Sequence, residues 1–351
     1  MCEDKAVREA ILNELTAGFT QIAEEQILRL AQAVRAARHI LVQGKGRMGL
    51  ILKAFAAQLA AQGYEARVVG DVTTPPIGKD DLLIVTPTGG DPKSSTRFLQ
   101  VARENGALVA AFTANRAGPV GSLADLFVEA QARTMGLDNT AQSVQPMCSA
   151  LEQMGLLMFD AVCALLAEPG LSVSEARAMV LRELSRALSA VREEQIEELI
   201  GRVDAAPRVF FDAPLRERLL LSCYAMRVHH MGKPVYVAGE VTAPEPARGD
   251  ALVFSCGNGA DETALFCMER ARRRGVCVMA LTSVPEASAV RERCDAAFYL
   301  PGMERGYGSE QQRGLLYGQC LLVALDYAVY KTMRKHGWRE EDLSARHTNM
   351  E

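Results

Sequence analysis

The sequence predicts an α/β protein of two domains, each a parallel sheet flanked by helices on both faces. Short apolar runs ending in glycine or hydroxyl residues alternate with amphipathic stretches of ten to fifteen residues, the pattern of βαβ units. The whole pattern then recurs at an offset of 169 residues. Ile11 to Leu15 returns as Val180 to Leu184, Glu24-Glu25-Gln26-Ile27 as Glu193-Glu194-Gln195-Ile196, and Gly70 to Pro75 as Gly239 to Pro244. Asp81, Gly106 and Thr113 match Asp250, Gly275 and Thr282. The spacing reads as free of gaps, which implies one ancestral domain, duplicated and fused. The expected domains are 1–170 and 171–351.

Taken in order, apolar positions at helical spacing over 5–36 (Ile11, Leu15, Phe19, Ile22, Ile27, Leu30), broken near Ala23-Glu24-Glu25, predict two antiparallel helices. Ile40-Leu41-Val42 is a short apolar run before a glycine cluster, so it reads as a buried parallel strand. A helix over 47–62, strands over 66–70 and 81–86, a helix over 94–105, strands over 107–113 and 126–129, and a long apolar helix over 148–167 follow. Glu168-Pro169-Gly170 breaks that helix, and Ser174-Glu175 opens the next, placing the hinge there. Ligands in such sheets bind at the carboxyl ends of the strands.

Bulk properties narrow the function. The chain has 351 residues, 49% of them hydrophobic, enough for each half to bury its own core. A formal charge of -4, with no Lys/Arg block beyond the short run Arg272-Arg273-Arg274, argues against a nucleic-acid or anionic-membrane partner. That run is expected to close a helix before Gly275. Nine cysteines without C-x-x-C spacing suggest reduced thiols and a cytoplasmic location. The N-terminus has no apolar export segment, and no long uninterrupted apolar run calls for a membrane span.

Four segments could carry chemistry. Gly44-Lys45-Gly46-Arg47-Met48-Gly49 is a glycine-rich turn between strand and helix, suited to a phosphate or sugar at a helix start. A dinucleotide is disfavoured, because Asp71, the candidate ribose acid, matches Glu240 in a copy without the glycines. The loop from Thr86 to Thr96 sets hydroxyls and bare amides at a helix start, which would cradle an anion or merely cap the helix. Its counterpart, Ser255 to Thr263, carries Asp261 and Glu262, which would repel phosphate. Glu152 follows Gln145-Pro146-Met147-Cys148-Ser149 in the first turn of a helix, where a carboxylate also complements the helix dipole. In Arg227-Val228-His229-His230-Met231-Gly232 the two histidines point about 100° apart, so they are poor partners for one metal, and no metal site is expected.

These residues carry a resemblance. GKGRMG, VVGDVTTPP, KDDLLIV and the QPM-x-S-x-x-EQ segment within His39 to Ala167 resemble 6-phospho-3-hexuloisomerase of the sugar isomerase (SIS) domain superfamily. The second copy is similar through YAMRVHHMG, VAGEVTAP and the tail from Arg346 to Glu351. The resemblance implies two SIS domains, each a five-stranded parallel sheet in a flavodoxin-like three-layer sandwich. It also implies cofactor-free isomerisation of a ketohexose 6-phosphate in sites shared between subunits. It assigns sugar-phosphate contacts to Gly44, Gly46, Arg47, Thr86, Thr88, Gly89, Lys93, Ser94, Ser95, Arg227 and His347, and catalysis to Glu152 and His230. A homodimer of fused chains would mimic the family's tetramer.

The departures are informative. The family's loop G-S-G-S-G-E-T-K-S is Thr86 to Ser94 here, with both serines and the threonine gone. Glu152 is matched by Gly318, His230 by Ala61, Arg227 by Gln58, and the three glycines by Ala213, Leu215 and Arg218. Only Arg47 and Arg216 persist in both copies of the turn. The expectation is therefore one composite site per chain, with Glu152 as general base for an enediol and His230 moving protons between oxygens. The alternative is a phosphosugar-binding or sensing module without catalysis.

Overall fold

In the computed structural model, which describes all residues except 1, 87–91, 117–119, 121–122, 135–141, 305 and 349–351, the chain forms two compact units. The first comprises Ala6–Leu181 and Thr348–Glu351, the second Met1–Lys5 and Arg182–His347. The first sheet's elements are α1 (Cys2–Gln21), α2 (Glu24–Ala36), β1 (Ile40–Gly44), α3 (Gly46–Ala61), β2 (Ala66–Val68), β3 (Leu82–Thr86), α4 (Pro92–Glu104), β4 (Leu108–Thr113), β5 (Leu126–Glu129) and α5 (Ser149–Ala167). The second series is α6 (Val173–Ser189), α7 (Glu193–Ala205), β6 (Val209–Asp212), α8 (Leu215–His230), β7 (Val235–Val237), β8 (Ala251–Ser255), α9 (Glu262–Arg273), β9 (Cys277–Thr282), α10 (Ser288–Arg291), β10 (Ala296–Tyr299), α11 (Leu315–His336) and α12 (Glu340–Ser344).

Both sheets are five-stranded and wholly parallel, in the orders β2-β1-β3-β4-β5 and β7-β6-β8-β9-β10. Central strands such as β3 (LLIVT) and β8 (ALVFS) are buried throughout, as helix-covered parallel strands must be. The matched registers Ile40↔Leu82 and Val209↔Ala251 obey the 169-residue offset. Beyond β4 it fails, which corrects the gap-free reading of the repeat. Thr113 pairs with Glu129 but Thr282 with Tyr299, so the second copy has gained one residue between these strands. Loops at a sheet edge absorb such changes without disturbing the core.

Each sheet is pinned at the start of its central strands by one buried aspartate. Asp81 accepts from Arg38 at 3.0 Å through both oxygens and from the Gly78 amide at 2.8 Å. Asp250 accepts from Arg208 at 2.9 and 2.5 Å and from the Ala247 amide at 2.7 Å. Bidentate guanidinium contacts of this kind fix geometry as well as charge. The helix after the predicted break, α6, is capped by Ser172 rather than opened at Ser174: Ser172 Oγ accepts from the Glu175 amide, and the Glu175 carboxylate accepts from the Ser172 amide at 2.8 Å.

Among the described helices α5 alone is long and apolar enough to cross a membrane, with mean hydropathy 1.6. It is buried, and Phe159 on it stacks on Phe55 of α3 at 4.6 Å and meets Phe112 of β4 at 5.7 Å. Each such pair adds about 0.5–1.5 kcal/mol beyond area burial. Gly155 permits the approach, since a Cβ there would lie 3.0 Å from Met48 Cε and 3.1 Å from Phe112. The length and hydropathy of α5 therefore serve the core.

Candidate functional site

In the first unit the site is built on the junction of β1 and α3. Gly44 ends β1 beside Thr86, its register partner on β3. A Cβ on Gly44 would lie 2.5 Å from Thr86 Oγ1, and one on Gly49 would lie 2.5 Å from the Gly44 carbonyl oxygen. Gly46 adopts φ +54°, the left-handed conformation that glycine tolerates without strain. The three glycines thus let the first turn of α3 sit directly on the end of β1. This close packing brings the start of the helix to the carboxyl edge of the sheet.

Arg47 and Glu152, 105 residues apart in the sequence, meet at this edge. Arg47 Nε lies 3.0 Å from Glu152 Oε2, with the side chains 1% and 9% exposed. The guanidinium of Arg47, an expected phosphate contact, thus stands against the candidate base. Glu152 is in the first turn of α5, where the helix dipole also favours its charge. Gln153 donates to Gln145 at 2.8 Å across the turn that precedes the helix, fixing the segment that carries Ser149 and Glu152. Gln43 Oε1, Thr86 Oγ1 and Ser149 Oγ are buried polar atoms without a hydrogen-bond partner among the described residues. Buried groups of this kind are uncommon in folded proteins.

The second unit keeps the frame and changes the chemistry. Gln319 and Gln311 pair as Gln153 and Gln145 do, at 2.7 Å, so the repeat offset at this helix is 166. That register sets Gly318 where the first unit has Glu152. A Cβ at Gly318 would lie 2.5 Å from Arg216 Nη1: the arginine remains and the carboxylate is gone. Leu215, in place of Gly46, keeps the left-handed turn at φ +46° although it has a side chain. Arg218, in place of Gly49, reaches Asp212 Oδ1 at 2.5 Å. Asp261 caps α9 by accepting from the Ala264 amide at 2.7 Å, which takes up an amide that an anion would need.

The other predicted residues gather at the end of α8. His230 is the last residue of that helix and is buried, as is Arg227 one turn earlier. The His230 ring lies 5.1 Å from that of His347, tilted by 40°. Arg346 holds the tail there, donating to the carbonyl oxygens of His230 and Asp342 at 3.2 Å each. His229 points elsewhere, its ring 6.2 Å from that of His230. The structure therefore joins Arg47 to Glu152 in one unit and His230 to His347 in the other. Lys93, Ser94 and Ser95 stand in the first turn of α4. Thr88 and Gly89 lie outside the described residues.

The sequence pointed to the segment that carries Gln145, Ser149 and Gln153 but not to their contacts, and it gave no sign of Gln43. Nor did it single out Glu217, which accepts from Ser255 Oγ at 2.5 Å and from the Gly257 amide at 3.2 Å. Its signal was present, since Glu217 replaces Met48 in the first turn of a core-facing helix.

Two parallel five-stranded sheets with a glycine-rich strand–helix turn define the class. A family model, the SIS domain, matches residues 33–157. The chain belongs to this SIS-domain family. It is 35% identical over 153 residues to 3-hexulose-6-phosphate isomerase of Bacillus subtilis, covering 43% of this chain and 83% of that protein. It is 32% identical over 163 residues to the enzyme of the same name from Mycobacterium gastri, covering 45% and 81%. Across 95% of the chain the fold matches a candidate phosphosugar isomerase from Silicibacter pomeroyi DSS-3, with a TM-score of 0.71, 14% identity and 99% of that chain covered. Tagatose-6-phosphate ketose/aldose isomerase from Escherichia coli matches over 95% of this chain and 92% of its own, with a TM-score of 0.60 and 15% identity.

Proposed function

We propose that this protein isomerises a ketohexose 6-phosphate in the manner of 6-phospho-3-hexuloisomerase. The observation that carries the reading is the buried Glu152 carboxylate on Arg47 at the carboxyl edge of the first sheet. The relatives' names add support. Moving a carbonyl from C3 to C2 takes a proton from C2, forms an enediol and returns a proton to C3. Glu152 is the base for that transfer, a role in which general-base help contributes about 10²–10⁴ in rate. Arg47 orients it. His230 moves protons between the two oxygens, with Arg227 and His347 holding the substrate. The start of α4, with Thr86, Lys93, Ser94 and Ser95, receives the phosphate, since helix-start amides and hydroxyls suit an anion. The complementary losses, Gly318 against Glu152 and Ala61 against His230, support one active composite site per chain. A cytosolic location and a dimer of chains belong to the same proposal.

One observation favours the second reading, a phosphosugar-binding protein without catalysis: the Glu152 carboxylate is already engaged by Arg47. Purified protein supplied with 3-hexulose 6-phosphate decides. Conversion that Glu152→Gln lowers by at least about 100-fold supports the isomerase. Binding without conversion, or turnover indifferent to Glu152→Gln, overturns it.

A further inference from the structure

We propose that Glu217 is a built-in anion that occupies the second unit's strand-end loop and closes it to phosphate. Ser255 ends β8 at the position that Thr86 holds at the end of β3, and the loop to α9 follows it. The first unit has the apolar side chain of Met48 at the matching place on its helix, packed against Gly155. In the second unit Glu217 reaches into the loop, and Oε2 takes both the Ser255 hydroxyl and the Gly257 amide. Those two donors are what a phosphate oxygen would use. The surroundings are tight: a Cβ on Gly257 would lie 2.4 Å from Met303 Sδ and 3.0 Å from both Glu217 Oε1 and Tyr317 Cε1, so glycine suits the close approach there.

The rest of the surroundings support the same contact. Tyr317 Oη lies 2.9 Å from Ser255 Oγ and donates its proton to the Leu281 carbonyl at 2.9 Å, so the single proton of Ser255 is left for Glu217. Asp261 takes the Ala264 amide at the start of α9. A phosphate approaching this loop therefore meets two carboxylates and finds donors already bound. The inference stands apart from the isomerase reading, because it concerns occupancy of the second loop and not turnover.

The test uses inorganic phosphate with the full chain, by calorimetric titration and by crystals grown in phosphate. Wild-type protein should show no phosphate on Ser255 Oγ and the Gly257 amide. Glu217→Ala should bind one more phosphate per chain than wild type, held by those two groups, and adding Ser255→Ala should weaken that extra site. Should Glu217→Ala fail to fold, Glu217→Met carries the first sheet's residue and is expected to open the site likewise. Phosphate found on the Gly257 amide of wild-type protein, with the carboxylate displaced, would overturn the proposal. So would a folded Glu217 variant that gains no phosphate, which would leave the glutamate a purely structural part.

Discussion

Replacing Arg47 by methionine removes the charge beneath Glu152 and keeps most of the volume. The two side chains are 1% and 9% exposed and 3.0 Å apart. With charge centres about 4 Å apart and an effective dielectric of about 20, their attraction is about 4 kcal/mol. Removing one partner of such a buried pair typically costs about 3–5 kcal/mol, because the other charge stays behind. Arg47→Met should therefore destabilise the protein by roughly 3 kcal/mol or more. Glu152→Gln should destabilise it less, since the amide can still accept from the guanidinium. The double variant should cost less than the sum of the two, with a coupling of about 1–3 kcal/mol. Urea denaturation followed by circular dichroism measures all three, read from midpoints at unchanged slope. An Arg47→Met variant within about 0.5 kcal/mol of wild type, or costs that add, would refute the pairing as a source of stability and of Glu152 positioning.

Leu215 is 90% exposed and held at φ +46°, so Leu215→Gly relieves about 1–2 kcal/mol of strain and loses almost no packing. After the glycine's greater unfolded-state entropy is subtracted, the melting midpoint should rise; a fall would contradict the strain. At Asp81, burial raises the carboxyl's pKa, but Arg38, the Gly78 amide and His39 together pull it below the ordinary carboxylate range. Its stabilisation is then full above that range and is lost as pH falls through the lowered value, so Asp81→Asn should weaken the protein at pH 7 and matter little in strong acid. Denaturation midpoints measured across pH check this. Glu217 has the opposite sign: burial raises its carboxyl above the usual value against the pull of Ser255 and Gly257. Its cost is absent in acid and appears as pH rises through the raised value, and Glu217→Gln should abolish that dependence.

The elements were readable because their signals are local. The apolar run Ile40-Leu41-Val42 before Gly44 gave β1, the periodicity from Ile11 to Leu30 gave two helices, and the repeat gave the second sheet. The repeat was over-read where loops intervene: one residue entered between β9 and β10, and the offset at the last long helix is 166. Changes in loop length cost little free energy, so the offset shifts between elements while the spacing within each is kept. Glu152 was found as a carboxylate at a helix start, yet its partner was not, since Arg47 lies on another helix far along the chain and pairing across a fold is a tertiary fact. Arginine beside glycines suits a phosphate, and nothing in the local sequence announces the carboxylate as well. Glu217 was passed over for a similar reason, as a single acid in a helical pattern reads as a solvated residue until its hydroxyl and amide donors are seen.

Proton transfer by Glu152 is tested most directly by running the reaction in heavy water. With 3-hexulose 6-phosphate and wild-type protein, deuterium should appear at C3 of the product to the extent that the proton held by Glu152 exchanges with solvent, as followed by NMR. Glu152→Gln should slow that incorporation by about 100-fold or more while the sugar phosphate still binds. Turnover, or deuterium uptake, at the wild-type rate in Glu152→Gln would contradict the central role given to this residue.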